Sequence, residues 1–99
     1  MASPLLWHIG TVTDGAVTVG AVTTLVLAFN GHRTNAVLTN DSDQIIYIAR
    51  GNAAVMNDGI RLNAAGGSYE IDDTNLWRGQ INAICALGDA NLCVSEGVD

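Results

Sequence analysis

The chain has 99 residues, with ten carboxylates set against four arginines and no lysine, for a formal net charge of −6. That balance excludes a nucleic-acid backbone as the principal ligand and leaves no polybasic patch to draw the chain to anionic lipid. Apolar residues make up 48% and charged residues 14%, which excludes disorder, and the length suits one folding unit, residues 1–99, rather than two. Neither nucleic acid nor membrane is an expected partner. Aromatics are few and Ala and Gly many, so each residue contributes shallow packing. A domain this small is commonly stabilised by oligomerisation, and self-association as a dimer or trimer is expected.

In chain order, residues 5–12 read as a first strand, and Asp14-Gly15 just after Thr13 is a strong hairpin signal. Residues 16–29 are apolar-rich but too short to span a bilayer. Gly20 and several threonines interrupt them and no basic n-region precedes them, so a secretory signal fits poorly. Their Val and Thr content predicts strands over 16–22 and 24–29, with Gly20 marking a bulge and Asn30-Gly31 ending the second. A strand over 34–39 stops at Asn40-Asp41-Ser42-Asp43, whose side chains compete for local backbone hydrogen bonds. Residues 45–50 are the clearest buried strand.

Beyond Gly51, a short apolar run over 53–56 meets Asn57-Asp58-Gly59 and reverses into Ile60-Arg61-Leu62, whose charged middle residue is expected to face outward. After a turn at 63–67 comes a strand over 69–71, then a polar corner at 72–75. Leu76-Trp77 leads through Gly79 into a final hairpin, with runs over 81–87 and 91–95 closed by Gly88-Asp89-Ala90. No amphipathic helix emerges beyond a single turn near 73–76. Reversals every eight to twelve residues or so predict an all-β fold, a compact β-sandwich or jelly roll of about eight short antiparallel strands.

Residues that carry chemistry are sparse. Cys85 and Cys93 would face each other across the final hairpin, close enough for a disulfide. The plainer reading, two small buried thiols, is preferred because nothing points to an oxidising compartment. His8 and His32 lack metal-ligand spacing. Asp41, Asp43, Asp72 and Asp73 could hold a hard cation only if their two loops meet, and solvated turn residues are the better reading. Ser3, Ser42, Ser68 and Ser95 have no nucleophile-elbow context. Gly66-Gly67 lacks the rest of a phosphate loop and reads as a tight reversal. No catalytic residue, cofactor or metal is expected.

The order of signals resembles that of small structural proteins of tailed-phage particles. The resemblance is carried by residues 33–38 with Asn40, Ile46-Tyr47-Ile48, Gly59-Ile60-Arg61-Leu62, Gly66-Gly67-Ser68-Tyr69-Glu70, residues 78–84 opening on Arg78-Gly79, and Val94 and Glu96. It spans about two thirds of the chain, and its motifs are structural rather than catalytic. It implies a β-sandwich of the capsid decoration or cement type, sitting on the capsid exterior with the major capsid protein as partner; the poor fit to an export signal adds the expectation of synthesis in the host cytoplasm. A carbohydrate- or receptor-binding module on a fibre or capsid surface is the alternative, and a head–tail adaptor a weaker third. The segment before Arg33 lies outside the pattern, and residues 1–12 read either as an arm or edge strand laid on a neighbouring subunit or as an ordinary core strand. Leu5, Leu6, Trp7, His8 and Ile9, with Trp77, are the candidate interface residues, since large aromatics dominate interfaces when they fill a partner's pocket; a core-anchor role is the competing reading for both tryptophans.

Overall fold

The computed structural model describes residues 10–99. Eight strands follow one another: β1 (Thr11–Val19), β2 (Thr24–Leu27), β3 (Arg33–Asn40), β4 (Ile46–Arg50), β5 (Ile60–Leu62), β6 (Ser68–Ile71), β7 (Ile81–Cys85) and β8 (Ala90–Val98). They form two antiparallel sheets, one in the order β1-β8-β3-β6 and the other β2-β7-β4-β5. Four of the pairings are nested, β1 with β8, β2 with β7, β3 with β6 and β4 with β5. A chain doubled back at the β4–β5 connection and wound as one long two-stranded ribbon gives this order, which is the jelly-roll winding. The all-β sandwich expected from the turn spacing is therefore the fold.

Alternation along the strands builds the core between the sheets. Ala36 and Leu38 of β3, Ala90 and Leu92 of β8, Ile46 and Ile48 of β4, and Ile81, Ala83 and Cys85 of β7 are fully buried there. The outer faces of the two sheets differ. Residues 51–58 lie as a strap over the second sheet, where Tyr47, Ala54 and Ile84 form a separate small apolar cluster. Ala54 N donates to Thr23 Oγ1 at 2.8 Å, Asn82 Nδ2 to Asn52 O at 2.7 Å and Tyr47 OH to Asn57 Oδ1 at 3.0 Å. The strap explains why β7 is buried along its whole length and β4 over its first three residues. It also accounts for the apolar run at 53–56, which packs on a sheet rather than joining one.

Two buried polar side chains pin the ends of β3. At its start, Arg33 is fully buried and its guanidinium reaches four acceptors: Glu96 Oε2 at 2.6 Å, the carbonyls of Trp77 and Gly79 at 2.9 Å each, and that of Ala28 at 2.8 Å. A slip in the β3–β8 register between Arg33 and Asn35 accompanies the burial of both Arg33 and Thr34. At the other end, Asn40 Nδ2 donates to the carbonyls of Gln44, Leu62 and Asn63 at 2.6, 3.0 and 3.1 Å, while its Oδ1 accepts from Ser42 Oγ at 2.7 Å. No buried side-chain polar atom among the described residues is left without a partner. Glycines at two of the turns admit no side chain. A Cβ on Gly59, whose φ is +79°, would run into the carbonyl of Ile48, and one on Gly67 would strike the backbone of Asn63.

Two expectations are corrected. Asp14-Gly15 is not a turn: β1 passes straight through it, pairing with β8 from Thr11 opposite Val98 to Val19 opposite Ala90. Gly15 does not take the positive φ that a two-residue hairpin demands, and the chain reverses instead at residues 20–23. The final hairpin is also absent, because β7 and β8 belong to different sheets and the turn at Gly88 and Asp89, both with positive φ, carries the chain across the sandwich. Cys85 consequently faces the core with its thiol against the carbonyl of Val19 at 3.4 Å, whereas Cys93 is partly exposed on the outside of the first sheet beside Ala16 and Thr39. The thiols stand on opposite sides of that sheet, and both are free. Thiol titration of native protein is expected to detect Cys93 readily and Cys85 only on unfolding; equal reactivity of the two would contradict this placement.

Candidate interaction surface

With the strap over the second sheet, the outer face of the first sheet is the broad uncovered β-surface of the described residues. The cross-strand registers set its residues in rows: Val12, Gly97 and Asn35; then Asp14, Ser95, Val37 and Glu70; then Ala16, Cys93, Thr39 and Ser68; and last Thr18 beside Asn91. Every side chain here is small or of medium size, and the only charges are Asp14 and Glu70, at opposite edges of one row. Such a surface is flat and cheaply desolvated compared with one studded with lysine and glutamate, the residues depleted from interface centres. Gly97 lets the Asn35 side chain lie directly over the β8 backbone, since a Cβ there would collide with the Asn35 amide.

A second apolar area flanks β2. Val22 and Leu25 are 72% and 52% exposed on either side of Thr23, whose hydroxyl holds the strap at Ala54, and Val55, next along the strap, is 56% exposed. All three lie in the two segments that this hydrogen bond joins. Where β4 and β5 meet the strap, a groove of ≈ 520 Å³ is lined by Ile48, Arg50, Asn52, Val55, Asp58 and Ile60 among others. Its polar groups could orient a small ligand, but no aromatic ring lines it to stack against a sugar face.

The sequence-derived candidates distribute as follows. Leu5, Leu6, Trp7, His8 and Ile9 lie outside the described residues. Trp77 is partly buried against the main core, its ring seated where Gly51 and Gly79 leave room and its Nε1 donating to Gln80 O at 3.1 Å. The acidic pairs do not meet: Asp41 and Asp43 follow the end of β3, whereas Asp72 and Asp73 follow β6, which runs antiparallel to it and finishes toward the opposite end of the sandwich. Among the described residues no three His, Cys, Asp or Glu side chains converge as metal ligands. Asp72 instead closes its own turn, accepting from Thr74 Oγ1 at 2.6 Å and Thr74 N at 2.8 Å; these bonds hold its carboxyl below the usual carboxylate range. His32 is exposed and contacts Asp99 at 3.2 Å. No helix of the described residues is long and apolar enough to cross a membrane.

The residues that carry the phage-protein resemblance fall partly on the open face, where Asn35, Val37, Ser68 and Glu70 lie, and partly at the joints of the fold. Arg33, Asn40, Gly59, Gly67, Gly79 and Glu96 all sit in the two clamps, in the turns beside them or under the Trp77 ring. The exposed, sparsely charged face was not singled out from sequence, although part of its signal was present in the alternation of less buried residues with buried ones along β3 and β8. No family model matches the chain, and no curated protein or solved structure matches it.

Proposed function

We propose that this protein is a structural component of a tailed-phage virion that binds the outside of the capsid and reinforces joints between major capsid subunits. The observation that carries the reading is the division of labour within the chain. Among the described residues every buried polar side chain is engaged in holding the jelly roll together, while a nearly uncharged sheet face is uncovered by any other described element. The sequence resemblance to capsid decoration proteins supports the same reading. The mechanism is mechanical: area buried on both sides of a subunit joint is lost when the joint opens, so separation becomes costlier, and many weak copies act together on one shell. The net charge of −6 gives the protein little affinity for stray nucleic acid. A glycan- or receptor-binding role stands second, resting on the polar lining of the groove at Arg50, Asn52 and Asp58.

Purified protein mixed with empty expanded phage capsids is expected to bind at a fixed number of copies per shell and to raise the temperature at which the shells come apart. Saturable binding with no change in that temperature would remove the reinforcing mechanism and leave a decorating one. Failure to bind shells, with retention on a glycan surface, would replace the reading with the second.

A further inference from the structure

The outer edge of β1 is the longest open strand edge of the described residues. β1 pairs with β8 over all nine of its residues with no bulge, and its other side has no strand of the described residues beside it. Natural edge strands are usually blunted by lysine, proline, a bulge or brevity. This one has none of these, and its single charge is Asp14. From Thr11 to Ala16 every residue is exposed, so the first half of the strand stands clear of the second sheet. A narrow apolar seam lined by Val17, Val26, Leu27 and Val94 opens beneath it, with Thr13 and Gly15 at its lip.

The sequence of β1, Thr-Val-Thr-Asp-Gly-Ala-Val-Thr-Val, complements itself when reversed about Gly15. We propose that β1 pairs antiparallel with β1 of a second copy across a two-fold axis at Gly15, joining the two first sheets into one continuous sheet. In that register Thr11 faces Val19, Val12 faces Thr18, Thr13 faces Val17, Asp14 faces Ala16 and Gly15 faces Gly15. Every valine meets a threonine, a pairing of β-branched side chains that suits adjacent strands. Each pair also keeps inward residues with inward and outward with outward, as the pleat requires.

Neighbouring registers are worse. A shift of one residue would set inward side chains opposite outward ones. Centring on Asp14 would put two carboxylates face to face, and centring on Ala16 would drop Thr11 and Val12 from the ladder. The Gly15 register uses the whole strand and leaves the two aspartates only as diagonal neighbours, about 7–8 Å apart. The resulting sheet contains four strands from each copy, and its two outer faces, each with Asp14 and Glu70 as its only charges, merge into one double-width surface. This pairing does not depend on the capsid reading, since it needs nothing but a second copy of the chain.

Cysteine crosslinking tests the register. In a Cys93→Ser background, which removes the partly exposed thiol and leaves Cys85 buried, Gly15→Cys is expected to give a disulfide-linked dimer under mild oxidation, because identical residues face each other. A Cβ at Gly15 meets nothing within 4 Å, so the variant is expected to fold. Thr13→Cys alone and Val17→Cys alone are expected not to crosslink, and a mixture of the two is. A protein that sediments as a monomer at every concentration overturns the proposal, as does crosslinking of Thr13→Cys alone at the rate of Gly15→Cys. As a second route, Ala16→Asp places a carboxylate opposite Asp14 of the other copy on both sides of the axis. It is expected to weaken dimerisation roughly tenfold or more, and adding Asp14→Lys is expected to restore it; an unchanged dimer in Ala16→Asp overturns the register.

Discussion

Replacing Arg33 with alanine is expected to lower the free energy of unfolding by about 3–5 kcal/mol, the range for removing one partner of a buried ion pair. The side chain is fully buried and Glu96 retains only 18% exposure, so the carboxylate has little water to turn to when the guanidinium is lost. Three carbonyls, those of Ala28, Trp77 and Gly79, lose their donors in the same step. They belong to the β2–β3 and β6–β7 connections, so one substitution frees two loops and the end of β8 together. Domains of this size have roughly 5–15 kcal/mol in total, which makes the loss a large fraction of the whole. Urea denaturation followed by tryptophan fluorescence and by circular dichroism measures it, and a midpoint close to wild type would show that the cluster contributes little. Arg33→Lys is expected to recover only part of the loss, because an ammonium cannot span four acceptors that a planar fork reaches at once.

The second large effect is expected at Asn40, and there the informative change is the smallest one, Asn40→Asp. The two side chains have nearly the same shape, so packing is preserved while Nδ2, which donates to the carbonyls of Gln44, Leu62 and Asn63, becomes a carboxylate oxygen facing three acceptors. Each buried group left unsatisfied costs about 1–3 kcal/mol, and lone-pair repulsion in a site shut off from water adds to that. Loss of cooperative folding near neutral pH is the expected outcome, and Asn40→Ala, which removes the donors without adding a charge, is expected to be milder. Thermal unfolding of the pair gives the comparison; equal stability of Asn40→Asp and wild type would mean that the amide network does not hold this end of the sandwich.

Much of the fold was legible because turns and strands here carry local signatures. From β3 onward the expected strands coincide with the observed ones to within a few residues, since polar clusters such as residues 40–43 and 72–75 leave the chain no reason to stay extended. Three features were not legible, each for a nonlocal reason. Asp14-Gly15 carries a hairpin signal, but the partner that keeps β1 straight is β8, at the far end of the chain. The strap at 53–56 resembles a strand because it is apolar, and only its hydrogen bond to Thr23 shows that it lies across a sheet. The step from β7 to β8 looks like a hairpin because both flanks are apolar, while the winding sends each successive strand to the other sheet except at the β4–β5 turn-back. The clamp residues were visible as a pattern but not as a mechanism, because the partners of Arg33 lie 44 to 63 positions away in its contacts with Trp77, Gly79 and Glu96.

The nested pairing has a consequence for how the molecule comes into being. β4 and β5 are joined by a short stretch and can meet early, but β1 finds its one in-sheet partner only when β8 has left the ribosome. Throughout synthesis a nine-residue segment rich in valine and threonine waits with both of its edges bare, guarded by a single aspartate. Strands of that composition are prone to pair with any exposed neighbour, and high sequence separation between partners slows closure. Asp14, an ordinary surface acid in the finished protein, is the one charge that interrupts this segment while it waits.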